Sequence, residues 1–343
     1  MRQLLNTLYV LSEDVYLALE GENVVAYREA SVAARYPLHT LSAILSFSYK
    51  GASPALMGAC AKRGISLSFC TPQGRFLARA VGEVNGNVLL RRMQYHVADD
   101  PLQSCRIARS MVLGKVYNAR WCLERVRRDH PLRVDGSLLA EVSGKLKENL
   151  HQIAEETSLE SLRGLEGVAA AAYFGAFSQM ILGDASVFAF NGRNRRPPKD
   201  PVNALLSFAY SVLAHDCASA LESVGLDAYV GFLHRERPGR VSLALDLMEE
   251  LRPCIAERFV LRLINNRMLK AADFEIGESG GVFLTDNARR LFFTKWQERK
   301  KEIITHPFLE EKIPWGLVPY IQALLLARYL RGDLDAYPPF LWK

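Results

Sequence analysis

The sequence predicts an α+β chain, with a small β-rich N-terminal domain over residues 1–96 and a larger all-α domain over residues 97–343. Three observations carry this. Up to about residue 95, short apolar runs alternate with the period of strands. After Asp99-Asp100-Pro101 the periodicity becomes helical and stays so. No low-complexity linker and no convincing internal repeat divides the chain further.

The β-rich part reads as strands at Leu5–Leu11, Val15–Leu19, Val24–Arg28 and Leu41–Phe47, separated by connections such as Ser12-Glu13-Asp14 and Gly21-Glu22-Asn23. Ser53-Pro54 supplies a cap and a first-turn proline for a helix to Lys62, and Gly64 follows its end. Ile65–Cys70 and Arg75–Val81 return to strand around a turn at Pro72-Gln73-Gly74. The helical part begins with Gln103–Arg128, where Cys105, Val112, Val116, Ala119 and Leu123 share a side. Further helices are expected at 138–157, 160–182, 200–223, 243–270, 285–303 and 315–331.

Composition narrows the classes of function. A chain of 343 residues that is 49% hydrophobic and 23% charged has enough material for a sizeable core. The net charge of +6 favours an acidic partner, nucleic acid first among them. The six cysteines are scattered, with no CxxC pair, so free thiols in a reducing cytoplasm are expected. Glu13, Asp14 and Glu20 interrupt the N-terminal apolar stretch, and no run approaches eighteen uncharged apolar residues, so neither a leader nor a membrane span is expected. No P-loop, GxGxxG, GxSxG or HExxH pattern occurs, which leaves nucleotide hydrolysis, dinucleotide binding and serine hydrolysis without support.

The stretch from Tyr229 to Pro253 carries the chemistry. His234 ends an apolar run and is followed by Arg235, Glu236 and Arg237, with a turn at Pro238-Gly239. Ser242 is a plausible N-cap for a helix bearing Asp246, Glu249 and Glu250 at i, i+3 and i+4, on one face among leucines. Three crowded acids repel unless a cation or a basic partner faces them. The plainer alternative is a solvated acidic face beside a structural histidine. A second acid, Glu166, stands between Gly164 and Gly167 ahead of an alanine run. It either pairs with Arg163 or is a buried carboxylate that needs a cation. His39, His96, His130, His151, His215 and His306 have no clustered acid at ligand spacing.

Basic segments frame these acids. Asn191–Pro201 holds Arg193, Arg195, Arg196 and Lys199 among three prolines, a natural phosphate-contacting loop or else simply a solvated one. Two further basic stretches are Arg289–Lys301, interleaved with Phe292, Phe293 and Trp296, and Arg106–Arg128. One imidazole nitrogen with two or more carboxylates suits Mn²⁺ or Mg²⁺ better than a structural zinc. In a basic groove such an ion serves phosphodiester chemistry.

At GLEGVAAAAYF around Glu166, RRPPKDPVNALLSFAY from Arg195, GFLH at His234 and LDLMEELRP at Asp246, the chain resembles the CRISPR-associated endonuclease family that acts as the integrase of spacer acquisition, the first-numbered of the CRISPR-associated proteins. The resemblance covers essentially the whole chain. The C-terminal LTDNARRLFFTKWQERK, HPFLEEK and RGDLDAYPPFLWK look most like the branch from type I systems of subtype C. It implies an N-terminal β domain that dimerises and an α-helical catalytic domain. It also implies a Mg²⁺ or Mn²⁺ site formed by Glu166, His234 and Glu249, with Asp246 beside it as a fourth catalytic residue and Glu250 a neighbouring surface or supporting acid. The implied reaction is attack by the 3′-hydroxyl of a short DNA fragment on a phosphodiester at a CRISPR repeat, or by water in endonuclease mode. The implied partners are double-stranded and branched DNA, a second copy of the chain, and the small second-numbered CRISPR-associated protein, whose dimer two such dimers flank as a heterohexamer. Arg193, Arg195, Arg196, Lys199, Arg235 and Arg237 are the candidate DNA contacts. Against this stand a non-catalytic DNA-binding scaffold, which does not explain Glu166 in an apolar helix, and a metal-dependent RNA-processing nuclease, which would prefer RNA.

Overall fold

The alternation near the N-terminus and the helical period beyond it resolve, in a computed structural model that describes residues 5–29, 31–72, 76–82, 88–194, 197–278 and 280–343, into an N-terminal β-rich region followed by a larger α-helical one. In chain order the elements are β1 (Asn6–Val10), β2 (Val15–Glu20), β3 (Asn23–Arg28), β4 (Ser31–Pro37), β5 (Leu41–Ser46), α1 (Pro54–Lys62), β6 (Ser66–Cys70) and β7 (Phe76–Ala80). There follow α2 (Val88–Asp99), α3 (Pro101–Asp129), α4 (Gly136–Glu155), α5 (Leu159–Ala176), α6 (Pro201–Ser223), α7 (Ser242–Leu251) and α8 (Arg258–Asn265). The chain closes with β8 (Phe274–Ile276), β9 (Val282–Leu284), α9 (Asp286–Lys301), β10 (Ile303–Thr305), β11 (Lys312–Pro314) and α10 (Val318–Leu330). Two units form: residues 1–85 with 284–302, and residues 86–283 with 303–343.

In the first unit, β2, β3 and β4 make an antiparallel meander, and a second sheet runs β1-β5-β6-β7. Its β1–β5 and β5–β6 pairings are parallel, so each needs a crossover; the meander provides the first and α1 the second. Ser53 caps α1 by accepting from the Leu56 amide at 3.2 Å. β4 escaped the sequence reading because almost all of SVAARYP is exposed and shows no inward-facing alternation. The 73–75 portion of the expected turn lies outside the described residues. α9, which the periodicity placed with the helical part, packs here: Phe293 stacks on Tyr9 with ring centroids 4.0 Å apart, and Gln297 donates to the Thr7 carbonyl at 3.1 Å.

The second unit is helical. Val88–Asp99, read as part of the β-rich region, is a helix that belongs to this unit. Asp100 ends it and caps α3, accepting from the Leu102 and Gln103 amides, with Pro101 at the first helical position. The expected helix over 243–270 is α7 and α8 joined by a π-helical segment, Arg252–Glu257. Pro253 lies in that segment and has no N–H to donate, so the regular ladder cannot run through it. Ser242 is the buried first residue of α7, not its cap. Among the described residues, α6 alone has the length and hydropathy of a membrane span, and it is mostly buried as a core helix. All six cysteines are buried, and none forms a disulfide.

Candidate metal centre

His234 is placed by a buried carboxylate. Asp246, on α7, accepts from the Phe232, Leu233 and His234 amides at 2.6, 2.9 and 3.0 Å, and its Oδ1 lies 2.6 Å from His234 Nδ1. The loop comes this close because residue 231 is glycine: a Cβ there would fall 2.7 Å from Asp246 Oδ2 and 2.9 Å from the Ser242 carbonyl carbon. Gln94 of α2 holds the preceding turn, donating to the Asp227 and Val230 carbonyls at 2.8 Å and accepting from the Asp227 amide at 2.9 Å. With Nδ1 committed to Asp246, Nε2 is the ring atom left facing Glu249, 3.8 Å from its Oε1. Asp246 therefore orients the imidazole and does not itself reach into the site.

Glu166 on α5 and Glu249 on α7 are brought together by a residue that the sequence reading did not single out. The Lys115 ammonium, from α3, pairs with Glu166 Oε1 and lies 2.7 Å from Glu249 Oε2. Arg163 does not pair with Glu166; its Nε donates to the Leu233 carbonyl at 2.8 Å, fixing the residue before His234. Gly114 lets α3 approach α7, since a Cβ there would lie 2.8 Å from the Glu250 Cβ. A lysine beside a glycine, in a helix whose other basic residues look solvated, was the available signal.

Burial raises the Glu249 carboxyl, but Arg252, Lys115 and His234 beside it outweigh that and hold it down to about 2. Arg252 Nη2 sits 2.9 Å from Glu249 Oε1, and its guanidinium lies 4.9 Å over the Tyr210 ring. Arg193 lies over the same ring at 5.2 Å, and donates to Ser207 at 3.1 Å. A cavity of about 900 Å³ opens beside these groups, lined among others by Lys115, Glu166, Arg193, Tyr210 and Arg252.

Among the described residues no three His, Cys, Asp or Glu side chains stand at coordinating distances from one point. The donor set nonetheless fits a divalent cation. Glu249 Oε2 is buried, and apart from the Lys115 ammonium 2.7 Å away it has no partner among the described residues. The Glu166 and Glu249 carboxylates flank a position already held by positive charge, His234 Nε2 faces the other Glu249 oxygen, and a donor set of carboxylate oxygens with one imidazole suits Mg²⁺ or Mn²⁺.

Glu250 is not a surface acid. It is fully buried, and it accepts from Tyr337, from Gln322 at 3.0 Å and from the Phe340 amide at 2.7 Å. Asn118 completes this clasp on the C-terminal segment, donating to the Glu250 and Phe340 carbonyls at 2.7 Å each. Of the basic candidates, Lys199, Arg235 and Arg237 are exposed, Arg193 is partly buried at the cavity, and Arg195 and Arg196 lie outside the described residues.

The family model described as CRISPR associated protein Cas1 matches residues 8–298. "CRISPR-associated endonuclease Cas1 2" of Rhodospirillum rubrum is 52% identical over the whole of both chains. A casposase bound to integration product has the same fold, with a TM-score of 0.84, 21% identity, and 99% of this chain and 95% of that one covered. A Cas6-RT-Cas1–Cas2 complex contains a chain that aligns with a TM-score of 0.80 and 23% identity over 99% of this chain and 36% of its own length. With a family model spanning most of its length and a relative more than half identical throughout, the chain belongs to the CRISPR-associated Cas1 family and has that family's integrase and endonuclease function in spacer acquisition.

Proposed function

We propose that Glu166, His234 and Glu249 are the metal ligands and catalytic group of a DNA strand transferase and endodeoxyribonuclease, a phosphodiester hydrolase when water is the attacker. The observation that carries this reading is the approach of Glu166 from α5 and Glu249 from α7 to one cation, with His234 Nε2 3.8 Å from the other Glu249 oxygen. A bound Mg²⁺ or Mn²⁺ supplies Lewis acidity toward a phosphodiester oxygen and the attacking hydroxyl. The chain's own residues do the remaining work. Asp246 holds the imidazole with Nε2 toward the ligands, and Arg163 and Gln94 keep the loop that carries it from shifting. Arg252 and Arg193 place fixed positive charge at the cavity wall, where a phosphate meets it at low cost in reorganisation. Lys199, Arg235 and Arg237, with Arg195 and Arg196 of the same basic segment, grip backbone phosphates.

In this reading the substrate is a short DNA duplex whose 3′-hydroxyl attacks the edge of a CRISPR repeat, producing branched DNA. The β-rich unit joins two copies, the larger helical unit carries catalysis, and two such dimers flank a dimer of the second-numbered CRISPR-associated protein in the cytoplasm. The similarity to a chain of the Cas6-RT-Cas1–Cas2 complex supports that partnership. The C-terminal motifs support a place in type I systems of subtype C. The test is strand transfer of a 3′-hydroxyl duplex into a repeat-bearing supercoiled plasmid, with and without the small partner, with Mn²⁺ or EDTA, and with Glu166→Ala in parallel. Joined products that require both metal and Glu166 are expected. Plasmid binding without joining or nicking in any condition would leave a DNA-binding scaffold.

A further inference from the structure

The four charged groups at the centre balance without any ion. Glu166 and Glu249 supply two negative charges, and Lys115 and Arg252 supply two positive ones. The two cations differ in how they are held. Arg252 lies against the Tyr210 ring and bonds the one oxygen, Oε1, that also faces His234. Lys115 lies between the two carboxylates, on Glu166 Oε1 and Glu249 Oε2, where a cation shared by both must sit. Its ammonium lies 2.7 Å from Glu249 Oε2, a buried oxygen with no further hydrogen-bond partner among the described residues. A divalent ion at the same two oxygens cannot share them with an ammonium: the cations would face each other at contact distance in a mostly buried pocket, with two charges in excess. Lysine has a flexible four-carbon stem, and Lys115 lines the adjoining cavity of about 900 Å³, so the ammonium has somewhere to go.

We propose that Lys115 is an internal counter-ion that holds Glu166 and Glu249 together in the ion-free chain and swings into the cavity when a divalent cation takes its place. The inference rests on the reading of Glu166 and Glu249 as ligands. It makes Lys115 a positioning residue that sets the concentration at which the ion binds and keeps the two carboxylates from repelling each other until then.

Binding of Mn²⁺ to the full-length wild-type, Lys115→Met and Glu166→Ala proteins tests this by calorimetry, with thermal unfolding in EDTA and in Mn²⁺. Lys115→Met keeps the length of the stem and removes the charge. It is expected to bind Mn²⁺ about tenfold more tightly than wild type, because the competing cation is gone. It is also expected to melt lower than wild type in EDTA and to gain more from Mn²⁺. Equal or weaker binding by the variant, with binding by wild type that Glu166→Ala abolishes, would overturn the counter-ion role and leave the ligand assignment standing. No binding by wild type or by Lys115→Met would overturn both. Should Lys115→Met fail to fold, wild type alone suffices: acetylation of Lys115 by acetic anhydride, followed by mass spectrometry, is expected to rise severalfold when Mn²⁺ is added. Unchanged or reduced labelling would show that the ammonium stays where it is and would sink the proposal.

Discussion

Asp246 Oδ1 binds His234 twice, at the backbone amide (3.0 Å) and at ring Nδ1 (2.6 Å), so one carboxylate sets both the path of the loop and the face the imidazole presents. Two of its bonds are to further backbone amides, and the group is fully buried. Asp246→Asn keeps the shape but removes the charge and turns one donor toward the loop. Metal affinity and strand transfer are expected to fall by about 10–100-fold, the usual effect of removing a carboxylate behind a ligating histidine. Mn²⁺ titration and single-turnover joining check this. Asp246→Ala strands the amides and is expected to destabilise the fold by about 3–5 kcal/mol in urea unfolding.

Gly231→Ala tests the packing on which that relationship depends. The added methyl meets both Asp246 Oδ2 and the α7 backbone inside contact distance, and the backbone cannot swing away. A loss of about 1–3 kcal/mol in urea unfolding is expected, with strand transfer lowered because the His234 loop is pushed off α7. Unchanged stability would mean that the loop sits farther from the helix.

Glu250 gives a pH signature. Burial outweighs the hydrogen bonds from Tyr337, the Phe340 amide and Gln322 and raises its carboxyl from 4.5 to about 7. Below about pH 4.5 both folded and unfolded chains hold the proton, and the contribution is fully present. As pH climbs toward 7 the unfolded chain releases it while the folded chain does not, so stability falls, by on the order of 3 kcal/mol in all. Thermal unfolding of wild type and Glu250→Gln across that window isolates the effect: the wild-type advantage should shrink as pH rises. A constant difference would show that the carboxylate is ionised throughout.

Lys199, Arg235 and Arg237 are exposed and unlike the central residues in what they should do. Alanine at each is expected to weaken DNA binding without regard to sequence. It should also flatten the dependence of log affinity on log salt, by about one unit for each phosphate that is no longer neutralised. Mn²⁺ affinity should not change. Filter binding across a salt series measures the slope directly.

Local chemistry made much of the architecture legible in the sequence. The short apolar runs of β2 and β3, the Ser53-Pro54 and Asp100-Pro101 helix starts, and the division into a β-rich region and a larger helical one all follow from interactions within a few residues. The acids on α7, Glu166 among small residues and His234 after GFL stood out for the same reason: a charge in an apolar pattern is visible without knowing its neighbours. Partners were not visible. Glu166 meets Lys115 across a separation of 51 residues, and Glu250 meets Phe340 across 90. Which of three adjacent acids faces the site, which carries the histidine loop and which anchors the C-terminal segment depends on what packs against each side of α7. An exposed β4 showed no alternation, and α9 joined the β-rich unit through Tyr9 and Phe293, 284 residues apart by number (293 − 9). Sequence patterns record what a residue is and how it sits on its own element. Only the tertiary structure decides which distant charge it meets, because burial makes that meeting obligatory and chain order does not specify it.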